Sequence, residues 1–503
     1  MSKKISLCVV SAILLAAPFL FPPLFALAWA AFVPLFWIIH EAEGLRRAVY
    51  FGWLMGFFTH LIGFHWLVYT ISIFGGFPYP VSTVVFLIYA ALQGLEMALF
   101  ALLVKRLGFG PWHVFPALFW VMIEFWFPLL FPWHLANSQV VFTSFIQTAD
   151  LVGPYGASFV VMWFNAALYR AWKPKQQARW QPALMAALLA ATASIYGVLR
   201  LGTITTEMAQ APKLSVGAVQ GNIDIDLKWN PVLVKHNLEI NRNLTKQVAD
   251  MPLIVWPETA VEDWVPENLA QLPPDVMPAL SSQKSYFIFG AKSFLGNLFG
   301  PGFKAFNTAF LTDGQGRVLT RYHKQVLLAF GEYLPFSSIL SKLPAMPFSD
   351  GFTPGEGPHT LDLANGIKIA PLICYEDLMP ELSRAFVKTS KANVLVNLTN
   401  DAWYGKTVAP WQHARLAQWR AIETRRTLLR VTNTGVTSVI NAKGEMTQAL
   451  PIFTPAVLKA QVDILEGETL YTRFGDWFAW GMTFVSIGIV LLRLRSPGES
   501  PSS

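Results

Sequence analysis

The sequence predicts an α-helical membrane bundle joined to a water-soluble domain, and three observations lead to this fold class. Of the 503 residues, 53% are hydrophobic and only 14% are charged. Apolar segments of membrane-spanning length dominate the first 200 residues. Later in the chain, shorter apolar runs such as residues 366–373 are typical of buried strands in a soluble domain.

The apolar segments predict about eight transmembrane helices, seven before the soluble domain and one after it. They lie at residues 5–21, 24–39, 49–74, 81–104, 112–130, 156–169, 182–199 and 477–492. The expected domain order is a transmembrane helical domain (1–201), a linker (202–212), a soluble domain (213–470), a C-terminal transmembrane helix (471–495) and a disordered tail (496–503).

Lysine and arginine residues predict the orientation of the chain, because they accumulate in cytoplasmic loops. Basic residues occur at the N-terminus and in every second loop thereafter, and the alternate loops 75–80 and 131–155 contain none. The basic positions are Lys3, Lys4, Arg46, Arg47, Lys105, Arg106, Arg170, Lys173, Lys175, Arg179, Arg493 and Arg495. We therefore expect a multi-pass bacterial inner-membrane protein with both termini and the tail in the cytoplasm. The soluble domain would then lie on the opposite face, which in a Gram-negative cell is the periplasm.

Composition and motifs exclude several function classes. The net charge of +7 does not predict a nucleic-acid partner, since the cytoplasmic basic residues lie beside the ends of predicted spans. The sequence has no glycine-rich phosphate-binding fingerprint, no Cys/His metal spacing and no internal repeat. We therefore expect no cofactor and no metal. Cys8 in a span and Cys374 in the soluble domain are not expected to form a disulfide.

Three groups with acid–base or nucleophilic chemistry follow one another along the soluble domain. Glu258 ends the run 253–257, Lys324 lies within 321–324, and Cys374 follows the apolar run 366–373. A free thiol titrates near ~8.5 and attacks as the thiolate, so acyl transfer at a thiol requires a base and a cation that holds an oxyanion. From its local run alone, the commoner interpretation of Cys374 is an inert small hydrophobe.

The surrounding residues resemble, in order, the three signatures of the nitrilase superfamily. The matching stretches are Trp256-Pro257-Glu258-Thr259, Tyr322-His323-Lys324 followed by Phe330-Gly331-Glu332, and Ile373-Cys374-Tyr375-Glu376. The resemblance spans about residues 213–470 and implies a nitrilase-like αββα sandwich. It also implies a covalent thioester at Cys374, with Glu258 as the base and Lys324 as the oxyanion cation.

The arrangement of the whole chain resembles the apolipoprotein N-acyltransferase family, because a periplasmic nitrilase-like domain lies between the seventh and eighth predicted spans. What this resemblance implies is a reaction with two substrates. An acyl chain moves from a phospholipid, typically phosphatidylethanolamine, through the cysteine thioester. It reaches the N-terminal α-amine of a diacylglyceryl-cysteine in an apolipoprotein. The expected partners are therefore this acyl donor, this acceptor and the bilayer.

Further residues are candidates for support of the reaction or for substrate contact. The Tyr375 backbone N–H is expected at the oxyanion, and the resemblance gives Glu332 and Glu376 roles in orienting Lys324 or polarising the site. Asn307, placed before a strand, is either a turn residue or a hydrogen-bond donor in the site. Trp229 either packs in the core or, as its position in the resemblance implies, contacts the substrate. The other candidates for substrate contact are Leu327, Leu328 and Phe348, which lie in apolar segments that bound a lipid-facing portal or pack on the domain core.

Two ionisable residues lie in apolar spans, where such groups are costly. Glu96 and Glu124 are therefore candidates either for a functional site or for the interior of the bundle.

Two other function classes remain open. A membrane-anchored nitrilase-type amidase that hydrolyses a small amide would use the same three groups, although seven spans exceed what an anchor needs. A lipid or lipoprotein carrier with an inactive nitrilase domain would not need Glu258, Lys324 and Cys374 to be intact.

Overall fold

The computed structural model describes residues 1–172, 180–334 and 351–495, and the chain divides into two compact units. One unit comprises Met1–Ile71, Phe77–Thr203 and the segment that begins at Phe474. The other comprises Ser72–Gly76 and Ile204–Arg473.

The first unit is built from helices. Its α-helices are Ser2–Leu20, Val33–Glu41, Leu45–Gly63, Leu67–Gly75, Tyr79–Gln93, Leu95–Leu107, Phe115–Trp126, Thr143–Ile146, Ala149–Val152, Pro154–Ala171, Gln181–Gln210 and Trp477–Arg495. Shorter 3₁₀ segments lie at Pro22–Trp29, Pro111–His113 and Leu135–Gln139.

Four of the described helical segments are long and apolar enough to cross a membrane. They are Ser2–Leu20, Pro22–Glu41, Tyr79–Leu107 and Gln181–Gln210. Leu45–Gly63 and Leu67–Gly75 pass the same test as a pair, but they are bent by 68° at the break between them. Many large apolar side chains on these helices are exposed, among them Leu188, Ile195 and Leu199, as expected for surfaces that contact lipid. The protein is therefore a membrane protein.

The predicted spans differ from these helices in three ways. The predicted span 49–74 consists of the helices Leu45–Gly63 and Leu67–Gly75, because a break after Gly63 turns the chain by 68°. The predicted span 112–130 contains the helix Phe115–Trp126, which is only 12 residues long, and the predicted span 156–169 lies within the longer helix Pro154–Ala171. The helix Gln181–Gln210 also extends through residues 202–210, which belong to the predicted linker. It ends two residues before Pro212, the first proline of that linker, because proline cannot continue a helix. The count of about eight spans stays a prediction.

Both acidic residues of the predicted spans lie inside this unit. Glu124 Oε1 accepts hydrogen bonds from the Leu135 backbone N–H at 2.6 Å, from Ser158 Oγ at 3.1 Å and from Trp120 Nε1 at 3.1 Å. Glu96 is fully buried, and neither carboxylate oxygen has a hydrogen-bond partner among the described residues. The carboxylate of Glu124 thus joins three segments of the bundle.

The second unit contains two β-sheets. In chain order, the strands are β1 (Lys213–Gln220), β2 (Leu253–Val255), β3 (Val261–Pro266), β4 (Tyr286–Leu295), β5 (Lys304–Asp313), β6 (Val318–His323), β7 (Leu361–Asp362), β8 (Lys368–Ile373), β9 (Val394–Thr399), β10 (Thr427–Thr432), β11 (Ser438–Ile440), β12 (Met446–Ala449) and β13 (Ala456–Asp463). One sheet has the order β13-β1-β2-β4-β5-β6, with β3 paired to β4, and the other has the order β12-β11-β10-β9-β8-β7.

The two sheets pack face to face and helices cover their outer faces. One buried apolar cluster contains residues of both sheets, including Val216 and Val255 from the first and Leu395 and Leu429 from the second. The helix Val234–Thr245 contacts the first sheet, and the helices Pro380–Lys388 and Ala409–Thr424 contact the second. Shorter helical segments lie at Cys374–Leu378, Asp401–Tyr404 and Leu470–Phe474. The predicted fold class, a helical membrane unit with a nitrilase-like αββα sandwich, is confirmed.

The strand directions bring two predicted site residues to one edge of the first sheet. β2 and β4 are parallel, and β5 is antiparallel to both β4 and β6. β2 and β6 therefore run the same way, and Glu258 and Lys324 follow their carboxyl ends. In the second sheet, β8, β9 and β10 are parallel and almost wholly buried, as their apolar sequences predict, and Cys374 follows the end of β8.

Candidate active site

Glu258, Lys324 and Cys374 lie within electrostatic reach of one another. The charges of Glu258 and Lys324 both act on the Cys374 thiol, and the charge of Glu258 acts on Lys324. Glu258 and Lys324 are 8% and 1% exposed, and Cys374 is only partly exposed. The fold thus brings a carboxylate, an ammonium and a thiol from three separate strand ends into one largely buried site.

A sharp backbone turn presents the Cys374 thiol. Cys374 has φ 52°, in the left-handed region, at the junction between β8 and the 3₁₀ segment Cys374–Leu378. A non-glycine residue in this conformation costs on the order of 1 kcal/mol and persists only where its surroundings hold it. Here Asn397 Nδ2 donates to the Cys374 carbonyl oxygen at 3.0 Å, and the Glu376 carboxylate accepts from the Ile373 N–H at 2.8 Å.

Glu376 ties the cysteine turn to the lysine loop. Its second oxygen, Oε1, accepts from the Gln325 N–H at 2.7 Å, the Val326 N–H at 3.0 Å and the Tyr322 hydroxyl at 2.9 Å. The carboxyl group is fully buried, and burial raises its pKa to about 7 while the backbone hydrogen bonds oppose that shift. The Glu376 carboxylate thus makes hydrogen bonds both to the backbone beside Cys374 and to the backbone that follows Lys324.

A chain of polar contacts connects Lys324 to Glu258. Lys324 Nζ lies 2.6 Å from Glu332 Oε2, and Asn307 Nδ2 donates both to Glu332 Oε1 at 3.0 Å and to Glu258 Oε1 at 2.7 Å. The Lys324 N–H also donates to the Asn307 carbonyl oxygen at 2.8 Å. Asn307 lies inside β5, so its predicted position before a strand is wrong, and its side chain is a donor in the site.

Burial and charge set the protonation of the three groups in different ways. Burial would lower the pKa of Lys324, but the charges of Glu332, Cys374 and Glu258 outweigh it and the pKa lies above its ordinary value. Burial, with the charge of Glu258, raises the pKa of the Cys374 thiol well above its usual range against the opposing effect of Lys324. Burial likewise raises the pKa of Glu258, against the charge of Lys324. Lys324 is therefore charged and Cys374 is a neutral thiol until a base removes its proton.

A second buried polar cluster, made of Asp377, Asp401, His413 and Arg430, lies behind the cysteine turn. His413 contacts Asp401 Oδ1 through Nδ1 and Asp377 Oδ1 through Nε2, both at 2.9 Å. Arg430 pairs with Asp377 and lies 3.7 Å from Asp401. This cluster was not predicted from the sequence. The available signal was Asp377, which directly follows the cysteine signature, because a buried aspartate needs a partner for its charge.

The remaining predicted residues lie around the site. Leu327 and Leu328 are partly exposed in the loop after Lys324, and the Leu328 N–H donates to Glu332 Oε2 at 2.8 Å. Trp229 has φ 76° and its ring lies 4.2 Å from the Lys292 ammonium. Tyr375 is the second residue of the 3₁₀ segment Cys374–Leu378, and burial raises the pKa of its phenol. Phe348 lies outside the described residues.

Among the residues that the structure describes, histidine, cysteine and acidic side chains form no cluster of three or more with the geometry to hold a metal ion. The Cys374 thiol, the Glu258 carboxylate and the Lys324 ammonium can together support nucleophilic attack on a carbonyl carbon.

Gly290 offers a test of the position of Glu258. A Cβ atom at Gly290 would lie 2.6 Å from the Thr259 nitrogen and 2.7 Å from both Glu258 Cα and the Pro257 oxygen. We expect Gly290→Ala to shift this loop and to slow alkylation of Cys374 by iodoacetamide at least about tenfold, since misplacing a reacting group by ~1 Å can cost ~100-fold in rate. Peptide mass spectrometry gives the rate. Gly202→Ala, whose Cβ meets nothing within 4 Å, should alkylate at the wild-type rate. A wild-type rate in Gly290→Ala would show that the position of the Glu258 loop does not affect the reactivity of Cys374.

Known proteins resemble the chain over both units. A family model described as Apolipoprotein N-acyltransferase N-terminal domain matches residues 11–167, and one described as Carbon-nitrogen hydrolase matches residues 215–469. An apolipoprotein N-acyltransferase of Geobacter metallireducens is 33% identical over 97% of this chain and 95% of its own length. The one from Azotobacter vinelandii is 33% identical over 91% of this chain and 89% of its own length. A solved nitrilase-superfamily amidase from Nesterenkonia aligns with 54% of this chain and 99% of its own, at 19% identity and a TM-score of 0.35. The chain therefore belongs to the apolipoprotein N-acyltransferase family.

Proposed function

We propose that this protein transfers an acyl chain from a phospholipid, typically phosphatidylethanolamine, to the N-terminal α-amine of diacylglyceryl-cysteine in apolipoproteins. The observation that carries the proposal is the convergence of Glu258, Lys324 and Cys374 in one buried site. Membership of the family supports the acceptor and the acyl-transfer reaction, and the exposed apolar surface of the membrane unit supports a substrate that is held in a bilayer.

The first half of the reaction forms a thioester. As Cys374 Sγ attacks the ester carbonyl carbon of the phospholipid, the Glu258 carboxylate takes the thiol proton. Lys324 and the Tyr375 backbone N–H stabilise the oxyanion that results. The carbon–oxygen bond then breaks, and Glu258 returns the proton to the departing lysophospholipid oxygen. Because burial raises the pKa of the Cys374 thiol, the thiol is protonated before the reaction, and a base must take its proton as the sulfur attacks.

The second half passes the acyl chain to the lipoprotein. The neutral α-amine attacks the thioester carbonyl carbon and gives a proton to Glu258. The carbon–sulfur bond breaks, and the leaving thiolate recovers the proton from Glu258. Such a ping-pong scheme replaces one difficult transfer by two easier ones.

The supporting residues keep the charged groups in place through both halves. We assign Glu332 and Asn307 to the orientation of Lys324 and Glu258, and Glu376 to the position of the cysteine turn. Glu332 contacts Lys324, and Asn307 donates hydrogen bonds to both Glu258 and Glu332. Glu376 accepts a hydrogen bond from the Ile373 N–H, directly before Cys374. These contacts support the assignments.

Apolar loops of the second unit are suited to contact lipid. Leu295, Leu298, Phe299 and Phe330 are exposed, with Phe299 71% accessible. We assign these loops, and Leu327 and Leu328 beside them, to a portal for the acyl chain. Exclusion of water by such apolar side chains would favour the amine over hydrolysis of the thioester. The predicted apolar segment 343–348 lies outside the described residues.

Substitutions of the three reactive groups test the proposed reaction. With protein in phosphatidylethanolamine vesicles and a diacylglyceryl-cysteine peptide as acceptor, mass spectrometry measures the N-acylated peptide. We expect Cys374→Ser to abolish product. Glu258→Gln removes the base, and Lys324→Arg changes the geometry of the cation, so each should lower the rate by about 100- to 1000-fold or more.

Two exposed residues of the helix Val234–Thr245 provide controls for these substitutions. Glu239→Gln and Lys235→Arg make the same chemical changes away from the site and should leave the rate at the wild-type level. Near-normal transfer by Glu258→Gln would show that another group takes the thiol proton, and full activity in Cys374→Ser would refute the proposal.

We also propose that the protein lies in the bacterial inner membrane with its catalytic unit in the periplasm and both termini in the cytoplasm. The alternation of basic and non-basic loops along the sequence supports this orientation. A periplasmic site would meet lipoproteins that are anchored on that face by their own diacylglyceryl group.

Cysteine labelling in spheroplasts tests the orientation. In a Cys8→Ser, Cys374→Ser background, a membrane-impermeant thiol reagent should label Gln315→Cys, since Gln315 is exposed in the turn between β5 and β6. Glu43→Cys, two residues before the helix Leu45–Gly63 whose first turn carries Arg46 and Arg47, should label only after lysis. The opposite pattern would reverse the orientation.

A further inference from the structure

Lys228 is a buried ammonium group next to the Glu258 loop. It is 3% exposed and lies after β1, one residue before Trp229. Its Nζ donates a hydrogen bond to the Thr259 carbonyl oxygen at 2.8 Å. Thr259 follows Glu258 directly, so Lys228 contacts the segment that carries the proposed base.

The Thr259 turn needs support from its surroundings. Thr259 has φ 47°, in the left-handed region, which is costly for a β-branched residue. Gly290 packs against one side of this turn so closely that it leaves no room for a Cβ atom. The Lys228 hydrogen bond holds the Thr259 carbonyl, and the turn therefore has two constraints.

A neutral donor would satisfy the Thr259 carbonyl at a lower cost than a buried ion. The ammonium group adds a positive charge, which offsets the negative charge of the two carboxylates in the site. Glu258 and Glu332 are both acidic and share the Asn307 amide, whereas Lys324 lies 2.6 Å from Glu332. Without Lys228, one lysine would have to balance both carboxylates.

Glu262 and Lys292 also lie near Lys228, but neither supplies this positive charge to Glu258. Glu262 faces Lys228, but its carboxylate accepts hydrogen bonds from the Trp229 N–H at 3.1 Å and from Asn237 Nδ2 at 3.0 Å. Lys292 lies over the rings of Trp229 and Trp264, and its charged neighbours are Glu262 and the exposed Asp263. Lys228 is thus the cation that acts on both Glu262 and Glu258.

We propose that Lys228 is a positioning residue for Glu258, which fixes the turn at Thr259 and supplies the second positive charge that keeps the Glu258 carboxylate ionised. The inference deepens the proposed function and rests on the part of it that makes Glu258 the base for Cys374.

The protonation of the two groups is consistent with this role. Burial lowers the pKa of Lys228 to about 8, against the charges of Glu262 and Glu258. Burial raises the pKa of Glu258, and the charges of Lys324 and Lys228 oppose that shift. Lys228 is therefore mostly charged below a pH of about 8. Removing its charge must raise the pKa of Glu258 further.

The pH dependence of Cys374 alkylation tests the inference in the full-length protein. Iodoacetamide is the probe, and peptide mass spectrometry separates Cys374 from Cys8. The rate should fall at low pH as Glu258 is protonated, and Glu258→Gln should remove this acid limb. In Lys228→Gln and Lys228→Met, we expect the limb to move up by about one pH unit, with an about tenfold lower rate on its acid side.

Two further variants separate charge from structure. Lys228→Arg keeps a charge and a donor and should keep the wild-type limb. Lys246→Gln removes an exposed lysine directly after the helix Val234–Thr245 and should also leave the limb unchanged. An unshifted limb in Lys228→Gln, or equal shifts in Lys228→Gln and Lys228→Arg, would overturn the inference. Because alkylation needs no phospholipid, the absence of any limb that depends on Glu258 would instead count against the proposed base.

Discussion

The buried pairing of Lys324 with Glu332 is the interaction on which the rest of the site depends. An unpaired ammonium at this depth would tend to lose its proton, and a neutral amine cannot stabilise an oxyanion. The 2.6 Å contact with Glu332 keeps Lys324 charged, and Asn307 connects the same carboxylate to Glu258. One consequence is that the same set of contacts holds both the Lys324 ammonium and the Glu258 carboxylate in place. Another is that two carboxylates share one lysine, and we propose that Lys228, bonded to the Thr259 carbonyl oxygen, supplies the second positive charge.

The fold supplies the geometry that this chemistry needs. Parallel strands place Glu258 and Lys324 at one sheet edge, and the left-handed turn at Cys374 brings the thiol from the second sheet towards them. Glu376 joins the two sheets at this point, because its carboxylate holds backbone N–H groups from both the cysteine turn and the lysine loop. The site therefore depends on the sandwich being assembled, because the thiol comes from one sheet and the carboxylate and ammonium come from the other.

The sequence predicted the fold class and pointed to Glu258, Lys324 and Cys374, which the fold brings into one site, because signatures of a few adjacent residues and long apolar runs are local features. It could not place contacts between residues far apart in the chain. Asn307 lies 49 residues from Glu258, and the hydrogen bond between them became apparent only once β5 was placed beside β4. The contacts of Lys228 and of the cluster around His413 could not be predicted for the same reason. The bend after Gly63 escaped prediction because hydropathy reports apolar length but not direction.

The central claim is that the acyl chain passes through a covalent intermediate on Cys374, and intact-protein mass spectrometry tests it most directly. After incubation with phosphatidylethanolamine alone, the protein should gain the mass of one acyl chain, removable by hydroxylamine and located on Cys374. Addition of the diacylglyceryl-cysteine peptide should discharge it at the rate at which the N-acylated peptide forms. Transfer that proceeds with no adduct at any time, or with an adduct that the peptide does not discharge, would contradict the account.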